Sequence, residues 1–201
     1  MEGVVEDMPT VIVATGNPGK LKEMQAFLQD LDWQLCLKPE TLEIEETGTS
    51  FLANARLKAT EVAKALGKWA IADDSGLEVD ALGGAPGIYS ARYANSDANR
   101  IARLLQELDG QANRGAQFVC ALALANPKGQ IILETQGICR GEILKAPQGE
   151  GGFGYDPVFY VPHLGQTFAE LSPRQKDIHS HRGVAFQQLL PQLKTLELEA
   201  P

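Results

Sequence analysis

Residues 70–94 read AIADDSGLEVDALGGAPGIYSARYA, and the fold turns on how this stretch is read. It opens on the apolar segment Trp69, Ala70, Ile71 and Ala72 and runs directly into two adjacent carboxylates, Asp73 and Asp74, then Ser75 and Gly76. A buried strand that ends in Asp-Asp-Ser-Gly places hard oxygen ligands at the carboxyl edge of a sheet, where open α/β sheets bind their ligands. Carboxylate oxygens suit Mg²⁺ or Mn²⁺ rather than zinc. Asp-Ser-Gly is equally at home in a plain turn, because all three residue types favour turns. A glycine-rich bend, Gly83-Gly84-Ala85-Pro86-Gly87, follows, and then Tyr89, Ser90 and Arg92.

Upstream, Val11 to Val13 predict a short buried strand, and the loop Thr15-Gly16-Asn17-Pro18-Gly19-Lys20 leads into a helix with Leu21, Met24, Leu28 and Leu31 on its apolar stripe. Strand, glycine-bearing loop, lysine, helix is the layout of a phosphate cradle. It is not a Walker A motif, since no Ser or Thr follows the lysine. A second strand is expected between Trp33 and Ile44. Thr49 or Ser50 caps a helix running to Leu66 and stopped by Gly67. Asn54 and Lys58, four apart, share a face of that helix that looks either at a ligand or at water.

Downstream, Ser96 or Asp97 caps a helix carrying Ile101, Leu104, Leu105 and Leu108. Phe118 to Ala125 is a continuous apolar run, read as a buried strand. Asn126-Pro127-Lys128-Gly129 is a turn signal, so Gln130 to Ile138 returns antiparallel. The sheet is therefore mixed. Gly149 to Asp156 is a second glycine-rich loop, in which Phe153 and Tyr155 can stack on a planar ring or simply plug the core edge. A short strand follows at 158–161. Lys176, His179, His181 and Arg182 cluster late, and a final helix is expected from Gly183 to about Leu196. His179 and His181 are too sparse a set for zinc, with no cysteine nearby and His163 well upstream.

Bulk properties set the outer limits. The chain has 201 residues, 44% of them hydrophobic and 22% charged, the balance of one soluble globular domain. A net charge of −8 argues against a nucleic-acid polymer or an anionic membrane as partner, because either favours a basic face. Cys36, Cys120 and Cys139 form no CxxC pair, which fits a reduced, cytoplasmic protein. The expected organisation is a flexible lead-in over residues 1–9 and a single domain over 10–197.

Together, the acids, the phosphate cradle, the aromatic glycine loop and the late cationic cluster suggest a metal-bound nucleoside polyphosphate. Six blocks then carry a resemblance. They are T-G-N-P-G-K at 15–20, S-F-x-x-N-A at 50–55, A-D-D-S-G-L-x-V-D-x-L at 72–82, G-x-P-G-x-Y-S-A-R at 84–92, G-G-F-G-Y-D-P at 151–157 and S-H-R at 180–182. In this order they resemble the inosine triphosphate pyrophosphatase family, also called dITP/XTP pyrophosphatases. The resemblance implies an elongated, mixed-sheet, two-lobed α/β fold with the active site in the cleft between lobes. It implies a homodimer that requires Mg²⁺ and hydrolyses ITP, dITP or XTP to the monophosphate and pyrophosphate, cleansing the nucleotide pool.

By the same resemblance, Asp74 is the catalytic carboxylate and a Mg²⁺ ligand, and Glu45 is the second metal-linked acid, with Glu46 its adjacent alternative. Asp73 helps hold the metal through water. Thr15, Gly16, Asn17, Pro18, Gly19 and Lys20 are the phosphate loop, and Ser75 is a substrate contact. Phe153, Gly154, Tyr155 and Asp156 form the base-binding loop, with Phe153 stacking. Lys176, His181 and Arg182 read the substrate, and Asn54 and Lys58 help near the phosphates. Asp177 and His179 depart from the family pattern, which more often has a small polar residue and an aliphatic one there, and the nine-residue lead-in is extra. Two rival readings are a broader-specificity nucleotide pyrophosphatase and a catalytically silent nucleotide-binding module.

Overall fold

The computed structural model describes residues 8–198. The expected lead-in lies, from 1 to 7, outside the described residues. β1 (Thr10–Val13) carries the apolar run Val11-Ile12-Val13 and is buried on both faces. It pairs in parallel with β2 (Gln34–Leu37) on one side and with β3 (Trp69–Val79) on the other. β3 then pairs antiparallel with β4 (Gly115–Ala125), and β4 with β5 (Ile131–Ile143) through the Asn126–Gly129 turn. Two short strands, β6 (Phe159–Val161) and β7 (Gln166–Thr167), complete a seven-stranded mixed sheet of order β2-β1-β3-β4-β5-β6-β7.

Helices cover both faces. α1 (Pro18–Leu28) and α5 (His181–Leu193) pack Met24, Leu28, Phe186 and Leu189 on one face, against Cys120, Leu122 and Leu124 of β4. α2 (Phe51–Leu66) packs Ala55, Ala59, Val62 and Ala63 on the other, against Val119, Ala121 and Ala123. The period-two alternation of β4 thus sends large residues to one layer and mainly alanines to the other. α3 (Asp97–Glu107) covers a third cluster with Leu77, Val79, Phe118 and Phe159. α4 (Pro173–His179) leads into α5. Among the described residues no helix is long and apolar enough to cross a membrane.

β3 corrects the reading of its own sequence. It does not end at Asp-Asp-Ser-Gly but runs on for 11 residues to Val79. Pairing with β4 is unbroken from Ala70↔Ala125 to Val79↔Ala116, and that ladder outweighs the local turn preference. The parallel pairing with β1 does stop, at Val13↔Ile71. Asp73 and Asp74 therefore sit just beyond the carboxyl end of β1, in the middle of β3. They also sit where the core changes hands: Trp69 to Ala72 belong to the α1/α5 and α2 layers, Leu77 and Val79 to the α3 cluster.

Two helix starts also differ from expectation. α1 begins at Pro18, so Pro18-Gly19-Lys20 is its first turn rather than loop, and it ends at Leu28 short of Leu31. Asn17 is its N-cap, accepting from the Gly19 and Lys20 amides at 2.9 and 3.2 Å, and proline suits the first helical position. α5 begins at His181, not Gly183, because the Ser180 hydroxyl caps it by accepting from Gly183 N–H at 3.0 Å. It passes through Pro191 and ends at Leu193. α2 falls on its expected bounds, capped by Ser50 and closed by Gly67 at φ +60°.

The close seating of α5 depends on Gly137 in β5. A Cβ there would lie 2.2 Å from the His181 carbonyl oxygen and 2.4 Å from the Ala185 nitrogen. Both are helix backbone and cannot rotate aside. Gly137→Ala should cost about 3 kcal/mol, as overpacking does, read as a lower urea midpoint. An unchanged midpoint would show that α5 can shift without loss.

Candidate active site

Two cavities meet at the loop between β1 and α1. Gly16, Asn17, Lys20 and Ala91 line both. The first, about 520 Å³, is walled by Ser75, Phe118, Phe153 to Asp156, Lys176, His181 and Arg182. The second, about 410 Å³, holds Thr15, Lys38, Glu46, Lys58, Asp74 and Arg92. The first offers rings and the second offers charges.

In the charged cavity Lys58 Nζ donates to Asp74 Oδ1 at 2.8 Å, to Glu46 Oε1 at 2.9 Å and to the Asp73 carbonyl at 2.8 Å. Burial opposes the charge on Lys58, but Asp74 and Glu46 outweigh it and raise its pKa. Burial raises the pKa of Asp74, with Lys58 pulling the other way. Asp74 Oδ2 is buried and has no hydrogen-bond partner. A buried carboxylate oxygen without a partner is costly unless something absent from the chain meets it. Glu46 also accepts from Arg92 at 2.7 Å, whereas Glu45 is exposed and does not line the cavity. Of the two adjacent acids, the structure brings Glu46 to Asp74. Asn54 belongs elsewhere: it is fully buried, and its Oδ1 accepts from Gly48 N–H at 2.8 Å.

Asp73 points into the opposite layer, as adjacent strand residues must. Lys20 Nζ lies 2.5 Å from its Oδ1, Arg182 Nε donates to its Oδ2 at 2.8 Å, and the Ser75 hydroxyl donates to Oδ1 at 2.6 Å. Burial alone would raise its pKa, but Arg182 and Lys20 together hold it well below the usual value. Arg182 is itself fully buried, and its three nitrogens go to Asp73, Glu23 and Ser75. It braces the site from below while still lining the ring-walled cavity.

In that cavity Lys176 Nζ lies 4.8 Å from the centre of the Phe153 ring and donates to Asp156 Oδ2 at 2.7 Å. Asp156 also accepts from Phe153 N–H at 2.9 Å, which fixes the loop's turn. A Cβ on Gly19 would fall 2.7 Å from the Phe153 ring, so glycine lets the aromatic close over the α1 start. His181 stacks on Phe118 with centroids 4.7 Å apart. Burial first, then Arg182, lower its pKa well below the usual value, so it is neutral, and its buried Nδ1 has no partner.

Glu23 and Lys38 are charged residues of the site that the sequence reading did not single out. Glu23 pairs with Lys176 at 2.8 Å and with Arg182. Its signal was its place one turn after Lys20 on α1. Glu46 had been the lesser of two adjacent acids. Lys38 carried no spacing that set it apart, and Arg92, the last residue of the block at 84–92, was given no role there. Asp177 and His179 lie outside both cavity walls; the His179 ring meets His163 at 5.7 Å, a proximity that their separation in sequence hides.

The model of the Ham1 family matches residues 11–192, nearly the whole described chain. The chain belongs to the Ham1 family. A relative from Nostoc sp. named dITP/XTP pyrophosphatase is 62% identical over 186 residues, spanning 92% of this chain and 95% of the relative. One of the same name from Synechocystis sp. is 58% identical over 193 residues, 96% of this chain and 100% of the relative. Among solved structures, a HAM1 protein from Coxiella burnetii superposes with a TM-score of 0.86 at 42% identity, covering 94% of this chain and all of the other. The Ham1 protein of Staphylococcus aureus does so at 0.83 and 43%, covering 92% and 98%. The expected mixed α/β sheet, here of seven strands, is the fold of these Ham1 structures.

Proposed function

We propose that this chain is a hydrolase that cleaves ITP, dITP and XTP between the α and β phosphates, releasing the nucleoside monophosphate and pyrophosphate and so clearing deaminated purines from the nucleotide pool. The observation that carries this is the pair of cavities joined at Gly16–Lys20. A purine fits the ring-walled side, and a triphosphate reaches over Lys20 into the charged side. The names of the relatives at 62% and 58% identity support the same activity.

The chain's own groups divide the work. Lys20 and Lys58 offer positive charge to the phosphates, each now held by a carboxylate that a phosphate oxygen would rival. Asp74 Oδ2, buried and unpartnered, is placed to take a proton from an attacking water. Its carboxylate faces the cavity that Lys58 and Glu46 also line. Phe153 and the neutral His181 wall the base, and Lys176 supplies a fixed donor at that side. A 6-keto purine presents an acceptor where adenine presents an amino donor, and leaving fixed donors unpaired costs on the order of 10⁴ in discrimination.

Mg²⁺ is part of this proposal. The residues fit it: Asp74 has a free buried oxygen, and Glu46 lines the same cavity, with Glu45 next to it in sequence. Among the described residues no set of three His, Cys, Asp or Glu is gathered as a ready-made cage. Mg²⁺ commonly takes one or two carboxylates and completes its shell with water and substrate phosphates. When bound it neutralises phosphate charge and polarises the scissile anhydride. We infer also a cytoplasmic homodimer, on the family resemblance.

Pyrophosphate release from ITP, XTP, GTP, ATP and dTTP, with Mg²⁺ and with EDTA, tests the reading. Strong Mg²⁺-dependent release from ITP and XTP with little from ATP is expected. Equal release from all five would favour a broad pyrophosphatase, and none would favour a silent binding module.

A further inference from the structure

The first turn of α3 reaches the ring-walled cavity, though no motif leads to it. Asp97 Oδ2 accepts a hydrogen bond from Gly154 N–H at 2.8 Å, across 57 positions of sequence. Its other oxygen pairs with Arg100 one turn on, and Arg100 Nε donates to the Ala94 carbonyl at 3.1 Å. Both side chains line the cavity. Gly154 sits at φ +64° between Phe153 and Tyr155, at the tip of the base loop. The flanks of that tip are tied separately: Phe153 N–H donates to Asp156, and the Tyr155 hydroxyl donates to the Ser90 carbonyl at 2.9 Å. The tip itself is held, among the described residues, by Asp97.

An acid in the first turn of a helix is ordinarily explained by the helix dipole. Here Ser96 already caps α3 by accepting from Asn99 N–H at 3.2 Å, and Asp97 reaches away to another element. We infer that Asp97 is a positioning residue for base recognition. It holds the Gly154 amide, and through it the Phe153 ring, at the spacing that admits a purine, while Arg100 fixes the carboxylate. This deepens the proposed function and rests on it. At the phosphate end, Lys20 and Lys58 pair instead with Asp73 and Asp74.

The test compares Asp97→Ala, Asp97→Asn and Ser96→Ala with the wild-type chain. Four quantities are read: ITP turnover with Mg²⁺, IMP binding and pyrophosphate binding by calorimetry, and amide exchange over residues 152–156. Losing one hydrogen bond to a charged acceptor should raise KM for ITP and Kd for IMP on the order of tenfold in Asp97→Ala, with kcat little changed. Pyrophosphate affinity should hold, and exchange at Gly154 should quicken. Asp97→Asn keeps an acceptor oxygen and should recover most of the loss. Ser96→Ala weakens the start of α3 without touching Gly154, so it should lower Tm and leave KM unmoved. An unchanged IMP affinity in Asp97→Ala, or an equal rise in Ser96→Ala, would overturn the inference. If the wild-type chain released no pyrophosphate from ITP, the parent reading would fall instead, while the IMP and exchange measurements would still report on the loop.

Discussion

Asp74→Asn should lower the rate of pyrophosphate release from ITP by at least about 10³-fold while the chain stays folded and still binds IMP. The size follows from losing a general base together with the charge that faces the reacting phosphates, effects worth about 10² to 10⁴ for proton transfer alone. The fold should survive because an asparagine oxygen can still accept from Lys58, now 2.8 Å from Asp74 Oδ1, and Glu46 remains to balance that lysine. What is lost is the second oxygen, buried and unpartnered in the chain itself. A Tm within a few degrees of wild type, with IMP affinity retained, separates this from unfolding. Activity within tenfold of wild type would remove Asp74 from the chemistry and leave the Lys58 cluster as a structural knot.

The sequence made some of this legible for local reasons. Ser50 and Gly67 mark the ends of α2 because an N-cap hydroxyl and a left-handed C-terminal residue are each single-residue requirements. Asn126 to Gly129 marks the β4–β5 turn in the same way. Asn17-Pro18 announced the start of α1 just as locally, yet the expectation of a longer phosphate loop masked it. The course of β3 was not legible. Asp73 to Gly76 prefer a turn, and only the partner strand 47 positions away from Asp73, at Cys120 and its neighbours, makes them extended. The side-chain network was hidden for the same reason. Glu23 meets Arg182 across 159 positions and Asp97 meets Gly154 across 57, separations at which no spacing rule operates. Motif resemblance placed the site residues near one another, but not which acid holds which cation.

Arg182→Met should be the most destabilising single change in the site. Methionine roughly preserves volume, so the effect reads charge. Removing the guanidinium strips Asp73 of one of its two cations and Glu23 of one of its two, at a place where Asp73's side chain is fully buried. Breaking a buried pair from one side costs about 3–5 kcal/mol, which at about 2–4 °C per kcal/mol for a chain of this size lowers Tm by about 10 °C. Lys20, 2.5 Å from Asp73, keeps the loss from being larger. Adding Asp73→Asn to Arg182→Met removes the stranded charge and should recover part of the stability; a double variant no better than the single would show that Arg182 stabilises by packing alone. The pH dependence carries the same information. In the wild-type chain Asp73 is held well below its usual 3.8, so its ionisation favours folding above that pH and the benefit fades as pH falls below it. In the variant, Lys20 and the Ser75 hydroxyl remain to oppose burial without the guanidinium, so the ionised carboxyl is less well supported and protonation relieves that cost. The gap in Tm between the two proteins should therefore be widest near neutrality and narrow on acidification toward pH 4 and below. A gap that stays constant from pH 7 to 3 would mean that Asp73 is not the charge Arg182 neutralises. It would also mean that the acid next to the catalytic one does not depend on this arginine for its place at the end of β1.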